Sequence, residues 1–129
     1  MPLQLIMSAL LVRDYDEAID WYTRVLGFAL LEDEARGPGK RWVVVEAPGG
    51  GRLLLARAAT PVQASQIGNQ CGGRVYLFLH TEDFDAERQR LEAAGVVFEE
   101  ATRNEDFGRV AIFRDLYGNR WDLIQPLAH

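Results

Sequence analysis

The strongest constraint on this chain is that its two halves repeat one another. Asp14-Tyr15-Asp16 returns as Asp83-Phe84-Asp85 at an offset of 69 residues. Leu26-Gly27-Phe28 returns as Ala94-Gly95-Val96 at an offset of 68. Gly50-Gly51-Arg52-Leu53-Leu54-Leu55 returns as Gly118-Asn119-Arg120-Trp121-Asp122-Leu123, again at 68. Unrelated strand–helix units would also share a capping Asp and a closing Gly, but three landmarks within one residue of a single offset point to duplication.

Each half reads as strand, helix and three further strands. In the first, Leu5–Val12 is a short apolar run of strand character. Asp14 is a helix N-cap with Glu17 placed to reach back to it. Ala18, Ile19, Tyr22, Val25 and Leu26 then recur at helical spacing, and Gly27 supplies the left-handed C-cap. Phe28–Glu32, Trp42–Glu46 and Arg52–Ala56 are strands, with the Ala35–Lys40 loop and the Pro48–Gly51 turn between them. In the second half, Arg74–Leu79 is a strand, Asp83–Ala94 a helix closed by Gly95, and Val96–Glu99, Arg109–Phe113 and Trp121–Gln125 are strands. Residues between Arg57 and Gly73 carry no clear periodicity.

The expected organisation is therefore one domain over residues 1–129, with βαβββ modules at 1–57 and 74–129 and a linker at 58–73. Such modules imply an α+β fold, a curved mixed sheet with helices on its outer face. The concave face is then the natural place for a site.

Composition narrows the function classes. Lys plus Arg total 14 and Asp plus Glu 19, a net charge of −5, which argues against nucleic acid as a partner. No apolar run approaches the ~18 residues of a membrane span, and the N-terminal residues lack signal-peptide character. Cys71 is the single cysteine, so no internal disulfide can form and a cytoplasmic location is expected.

Val12-Arg13-Asp14, Asp20-Trp21-Tyr22 and Val25-Leu26-Gly27-Phe28 resemble the first module of the vicinal oxygen chelate superfamily, which includes glyoxalase I, bleomycin-resistance proteins and extradiol dioxygenases. Ala93-Ala94-Gly95-Val96 and Phe113-Arg114-Asp115-Leu116-Tyr117-Gly118-Asn119 resemble the matching signatures of the second module. The usual last motif has Pro where this chain has Leu116 and Asp where it has Tyr117.

The resemblance implies a divalent metal held on the concave face by His, Gln or Glu from four strands, acting as a Lewis acid. Carried over by position, those places fall on Met7, on Leu54, on Arg74 or Tyr76, and on Asp122. Met is a soft ligand, Leu none, and Arg repels a cation. No cofactor is therefore expected. The alternative is one divalent ion, should a two-residue shift bring His80 onto the concave face; His129 is the chain's other histidine.

Strand alternation puts Met7, Ala9 and Leu11 on one face, with Arg74, Tyr76 and Phe78, and Arg120, Asp122 and Ile124, on matching faces. Leu77, Leu79, Trp121 and Leu123 then point to the helices. The candidate ligand-binding residues are Met7, Trp42, Leu54, Arg74, Tyr76, Arg120 and Asp122.

Asp122 is the candidate catalytic residue, as a general base or an acceptor for a substrate hydroxyl; the structural alternative is an ion pair with Arg74 or Arg120. Arg74 would otherwise hold a carboxylate or phosphate in a fork. Glu99-Glu100 and Glu105-Asp106 read as solvated charge, Cys71 as a silent thiol and His80 as a strand end.

These readings lead to a protein that binds a small organic molecule without the metal, as the bleomycin-resistance branch does. The alternative is a metal-dependent lyase, isomerase or dioxygenase. The resemblance also implies a homodimer.

Overall fold

The computed structural model describes residues 1–127, so His129 lies outside the described residues. The chain forms two units, residues 1–67 and residues from 68 onward. The first contains β1 (Ser8–Val12), α1 (Tyr15–Asp20) continuing into a π-helical turn at Trp21–Val25, β2 (Ala29–Ala35), β3 (Arg41–Glu46), β4 (Arg52–Arg57) and α2 (Pro61–Ser65). The second contains β5 (Val75–His80), α3 (Phe84–Ala93), β6 (Arg103–Glu105), β7 (Gly108–Arg114) and β8 (Arg120–Pro126). The sheets have the orders β1-β4-β3-β2 and β5-β8-β7-β6. In each, the first strand pairs in parallel with the last and the remaining pairs are antiparallel. The class is α+β, and the repeat in the sequence is a repeat of topology.

The helix boundaries follow the local chemistry. Asp14 Oδ2 accepts from the Glu17 amide at 2.9 Å, and Arg13 grips the Glu17 carboxylate at 2.8 and 2.9 Å. Asp83 Oδ1 caps α3 through the Ala86 amide at 3.2 Å. Gly27 at φ 81° and Gly95 at φ 94° close the two helices in the left-handed region. α1 packs on β3 and β4, burying Tyr15, Ala18, Tyr22 and Val25 with Leu10, Val12, Val43, Val45, Leu53 and Leu55. In the second unit α3 packs on β8, where Phe84, Leu91, Ala111, Phe113, Trp121 and Leu123 form the core.

Three expectations need correction. The first strand starts at Ser8 rather than Leu5, leaving Leu3, Leu5 and Ile6 exposed. The segment at 58–73 contains α2, capped by the Thr60 side chain, which accepts from the Gln63 amide, while Gln63 Oε1 accepts from Ala59. Thr60-Pro61 followed by Gln63 is a helix start written in the sequence. The strand expected at Val96–Glu99 is reduced to one bridge, Phe98↔Phe113. Beyond it Arg88 takes over: its guanidinium lies 4.4 Å from the Phe98 ring centroid and donates to the Glu100 carbonyl and Thr102 Oγ1. Pairing with β7 resumes only at Arg103.

The Asp115–Asn119 turn between β7 and β8 is built on a buried carboxylate. Asp115 is 6% exposed. It accepts from the Tyr117 amide (3.0 Å), the Asn119 amide and Nδ2 (2.9 Å each) and Trp121 Nε1 (3.2 Å). Removing the carboxylate strands several buried donors at once, each costly to leave unmade. Asp115→Ala is expected to lower the unfolding free energy by roughly 3 kcal/mol, read from urea titration. A loss below about 1 kcal/mol, no more than an ordinary hydrogen bond, would show that the turn does not depend on this carboxylate.

Candidate functional site

Each sheet has one face against its helix and one that the helix does not cover. In the first unit the register pairs Ala9 with Leu54, Leu11 with Ala56, and Val44 with both Leu54 and Glu32, so these side chains share the face away from α1, on which Val44 is fully buried. Trp42 pairs with Glu34 on the same face, and its indole donates to Glu32 Oε2 at 3.4 Å. The β3–β4 ladder ends at Val44↔Leu54. Past that pair a cavity of about 840 Å³ opens, lined by Trp42, Leu54 and Ala56 together with Tyr15, Arg36, Lys40, Arg41 and Arg57. The Tyr15 hydroxyl accepts from the Arg41 amide at 3.1 Å, holding the start of β3 at its edge. Of the candidate ligand-binding residues, Trp42 and Leu54 line this cavity. Met7, half-buried ahead of β1, is not among the lining residues. Lys40 and Arg57 were missed by sequence reasoning: the Ala35–Lys40 stretch signals a turn, and its charge alone does not say where the turn folds.

In the second unit Arg74, Tyr76 and Arg120 line a smaller pocket of about 300 Å³ with Cys71, Glu99 and Arg114. Arg74 lies outside β5, and a bulge between Val75 and Leu77 makes Tyr76 an extra residue in the strand. This corrects the expected alternation for Arg74 and Tyr76; Phe78 and His80 lie opposite Asp122 and Ile124, in line with the expected parity. The Tyr76 hydroxyl takes a 3.4 Å bond from Gln70 Nε2, and burial pushes its pKa above the usual phenol value.

Glu99 is exposed loop charge, as the sequence suggests, but its two ion-pair partners were not legible there. Arg120 grips it through Nε and Nη2 at 2.9 and 3.1 Å, and Arg114 Nε reaches it at 3.1 Å. Arg120 also donates to the Gly73 carbonyl at 2.9 Å. The expected ion pair of Asp122 with Arg74 or Arg120 therefore does not form among the described residues, because Glu99 holds Arg120 from the other side.

Asp122 lies on β8 opposite Phe78 and Ile112, and its Oδ1 is buried with no hydrogen-bond partner. Burial raises its pKa first of all; Arg103 and Arg120 pull it down and Glu100 pushes it up. Such a group can accept a proton or hydrogen bond from a ligand hydroxyl. As a metal centre the set does not fit. Met7, Leu54, Arg74, Tyr76 and Asp122 offer one carboxylate, and His80, which shares the face of Asp122 and Ile124, adds one nitrogen, two donors short of the four side chains the resemblance implies. Among the described residues no three His, Cys, Asp or Glu side chains gather to hold one.

The sign of the Asp122 shift makes a test. A carboxyl whose pKa is raised in the folded state binds its proton more readily folded than unfolded, so it costs stability as pH rises through that window. Asp122→Asn is expected to raise the thermal midpoint relative to wild type at pH 7.5, with the difference closing below the ordinary carboxylate range. An equal gap at both pH values would contradict a raised pKa.

The sequence matches the Glyoxalase/Bleomycin resistance protein/Dioxygenase superfamily over residues 4–123. An uncharacterized protein from Shewanella frigidimarina (strain NCIMB 400) is 51% identical over 128 residues, covering 97% of this chain and 95% of that protein. The crystal structure of TnmS3, an antibiotic binding protein from Streptomyces sp. CB03234, is 32% identical with a TM-score of 0.79, over 98% of this chain and 99% of that one. A superfamily member from Sphaerobacter thermophilus DSM 20745 is 27% identical with a TM-score of 0.76, over 95% of this chain and 98% of that one. The chain belongs to the glyoxalase/bleomycin resistance protein/dioxygenase superfamily.

Proposed function

We propose that this protein binds a small organic molecule in the cavity between β3 and β4 of its first unit, without the divalent ion of the superfamily's enzymes. The observation that carries the reading is the cavity of about 840 Å³ with Trp42, Leu54 and Ala56 in its wall. Its volume lies within the range of organic ligand sites, and an indole beside aliphatic side chains suits a flat apolar molecule. The likeness to an antibiotic binding protein agrees with it. So does the donor set at the expected metal positions. No helix among the described residues is long and apolar enough to cross a membrane. Leu3, Leu5 and Ile6 are each exposed, apolar area that a second copy would cover, and we propose a homodimer in the cytoplasm.

A neutral aromatic fluorophore, N-phenyl-1-naphthylamine, is expected to bind wild type, and Trp42→Ala to weaken it roughly tenfold, the value of one buried ring. Undiminished affinity in the variant would remove the cavity from the reading. After incubation with Ni, Zn, Mn and Fe(II) and desalting, elemental mass spectrometry is expected to find far less than one ion per chain. Near-stoichiometric retention would favour a metal-dependent lyase, isomerase or dioxygenase instead. Light scattering is expected to give twice the chain mass of 14.5 kDa.

A further inference from the structure

The rim of the first-unit cavity is charged, and its charge is opposite to that of the protein. Four of the chain's 14 Lys and Arg residues, Arg36, Lys40, Arg41 and Arg57, line it, and no Asp or Glu does, although the net charge is −5. Two of the four are already neutralised. Arg41 bridges Asp33 at 2.7 Å and Asp16 at 2.9 Å, and Arg36 holds Glu34 at 2.7 Å. Among the described residues Lys40 and Arg57 form no ion pair.

These two cations belong to one mouth. The turn that carries Lys40 is closed by the Arg36 amide on the Lys40 carbonyl at 2.8 Å and the Lys40 amide on the Gly37 carbonyl at 3.2 Å. A Cβ built on Gly39 would stand 3.5 Å from Arg57 Nη2, so the guanidinium at the end of β4 lies alongside that turn. Gly39 itself has φ +70°, the backbone that lets the turn fold over the guanidinium. Two cations lining one cavity without a counterion leave its rim net positive, and a bound anion neutralises that charge. Below them the wall is aromatic and aliphatic.

We infer that the cavity takes an aromatic organic anion, a carboxylate, sulfonate or phenolate. Its rings lie against Trp42, Leu54 and Ala56 and its charge is met by Lys40 and Arg57. This rests on the small-molecule reading above and adds the chemical class of the ligand. It also moves the anion anchor from Arg74, where the sequence placed it, to a pair of residues on the other unit.

Two probes that share a ring system isolate the charge: 8-anilino-1-naphthalenesulfonate and the neutral N-phenyl-1-naphthylamine. The sulfonate is expected to bind wild type about tenfold more tightly, the range of one charge-assisted hydrogen-bonded contact. The preference is expected to collapse in the double variant Lys40→Gln, Arg57→Gln and in about 1 M salt, where screening acts over about 3 Å. The thermal midpoint of the double variant serves as the folding control. Equal affinity for the two probes in wild type, or a preference that survives the double substitution, overturns the inference. If the neutral probe still binds in a Trp42-dependent way, the small-molecule reading stands without it. If neither probe binds, both fall.

Discussion

Everything that distinguishes this molecule follows from a shortage of helix. Each unit lays four strands side by side and packs one helical segment from the strand crossover against them. A pleated strand sends alternate side chains to opposite faces, so the helix can satisfy only half of each sheet. On β3 the alternation is visible residue by residue: Val43 and Val45 face the helix, while Trp42 and Val44 point the other way, Val44 fully buried there and Trp42 half-buried. The second face of such a sheet is commonly polar; here Ala9, Leu11, Val44, Leu54 and Ala56 make it largely apolar. A sheet face that is apolar and left without a helix is the raw material of a ligand site.

The two copies of the module spend that face differently. In the first, β3 and β4 part company past Val44↔Leu54, and the space between them is walled by Trp42 and Leu54. In the second, Glu99 enters from the segment after the Phe98 bridge and ties Arg114 and Arg120 together, leaving a smaller and more polar pocket. Duplication fixed the topology; a handful of side chains then made one copy a cavity and the other a charge network. Asp122 sits at the edge of that network, passed over by the arginines meant to neutralise it.

The fold was legible because its signals are local. Asp14, Gly27, Asp83 and Gly95 mark helix ends through backbone geometry that neighbours a few residues away impose, and the strands announce themselves by β-branched runs. Most boundaries fell within one or two residues. The failures share a different cause. The 96–99 segment packs under Arg88, which reaches it from α3, and the Tyr76 bulge depends on the register against β8. No spacing rule reports either. Of the site, Leu54 was named through the internal repeat that pairs it with Asp122, and Trp42 as an aromatic lining residue; the partner of Arg120 was Glu99 rather than Asp122, because ion pairs are chosen by three-dimensional proximity. Lys40 and Arg57 were invisible for the same reason, lying on a turn and a strand end whose meeting the sequence does not declare.

The strand orders also set a timetable for folding. β4 and β8 come last in their units yet lie inside the sheets, β4 between β1 and β3 and β8 between β5 and β7. On a growing chain neither sheet can be assembled strand by strand; each stays open until its final strand emerges and then closes at once. In the second unit this leaves Val75–His80, an apolar strand carrying the exposed Phe78, without a neighbour while the intervening forty or so residues are still being made at ~5–20 per second. That interval of seconds, rather than any property of the finished protein, is when this chain is most open to pairing with the wrong strand.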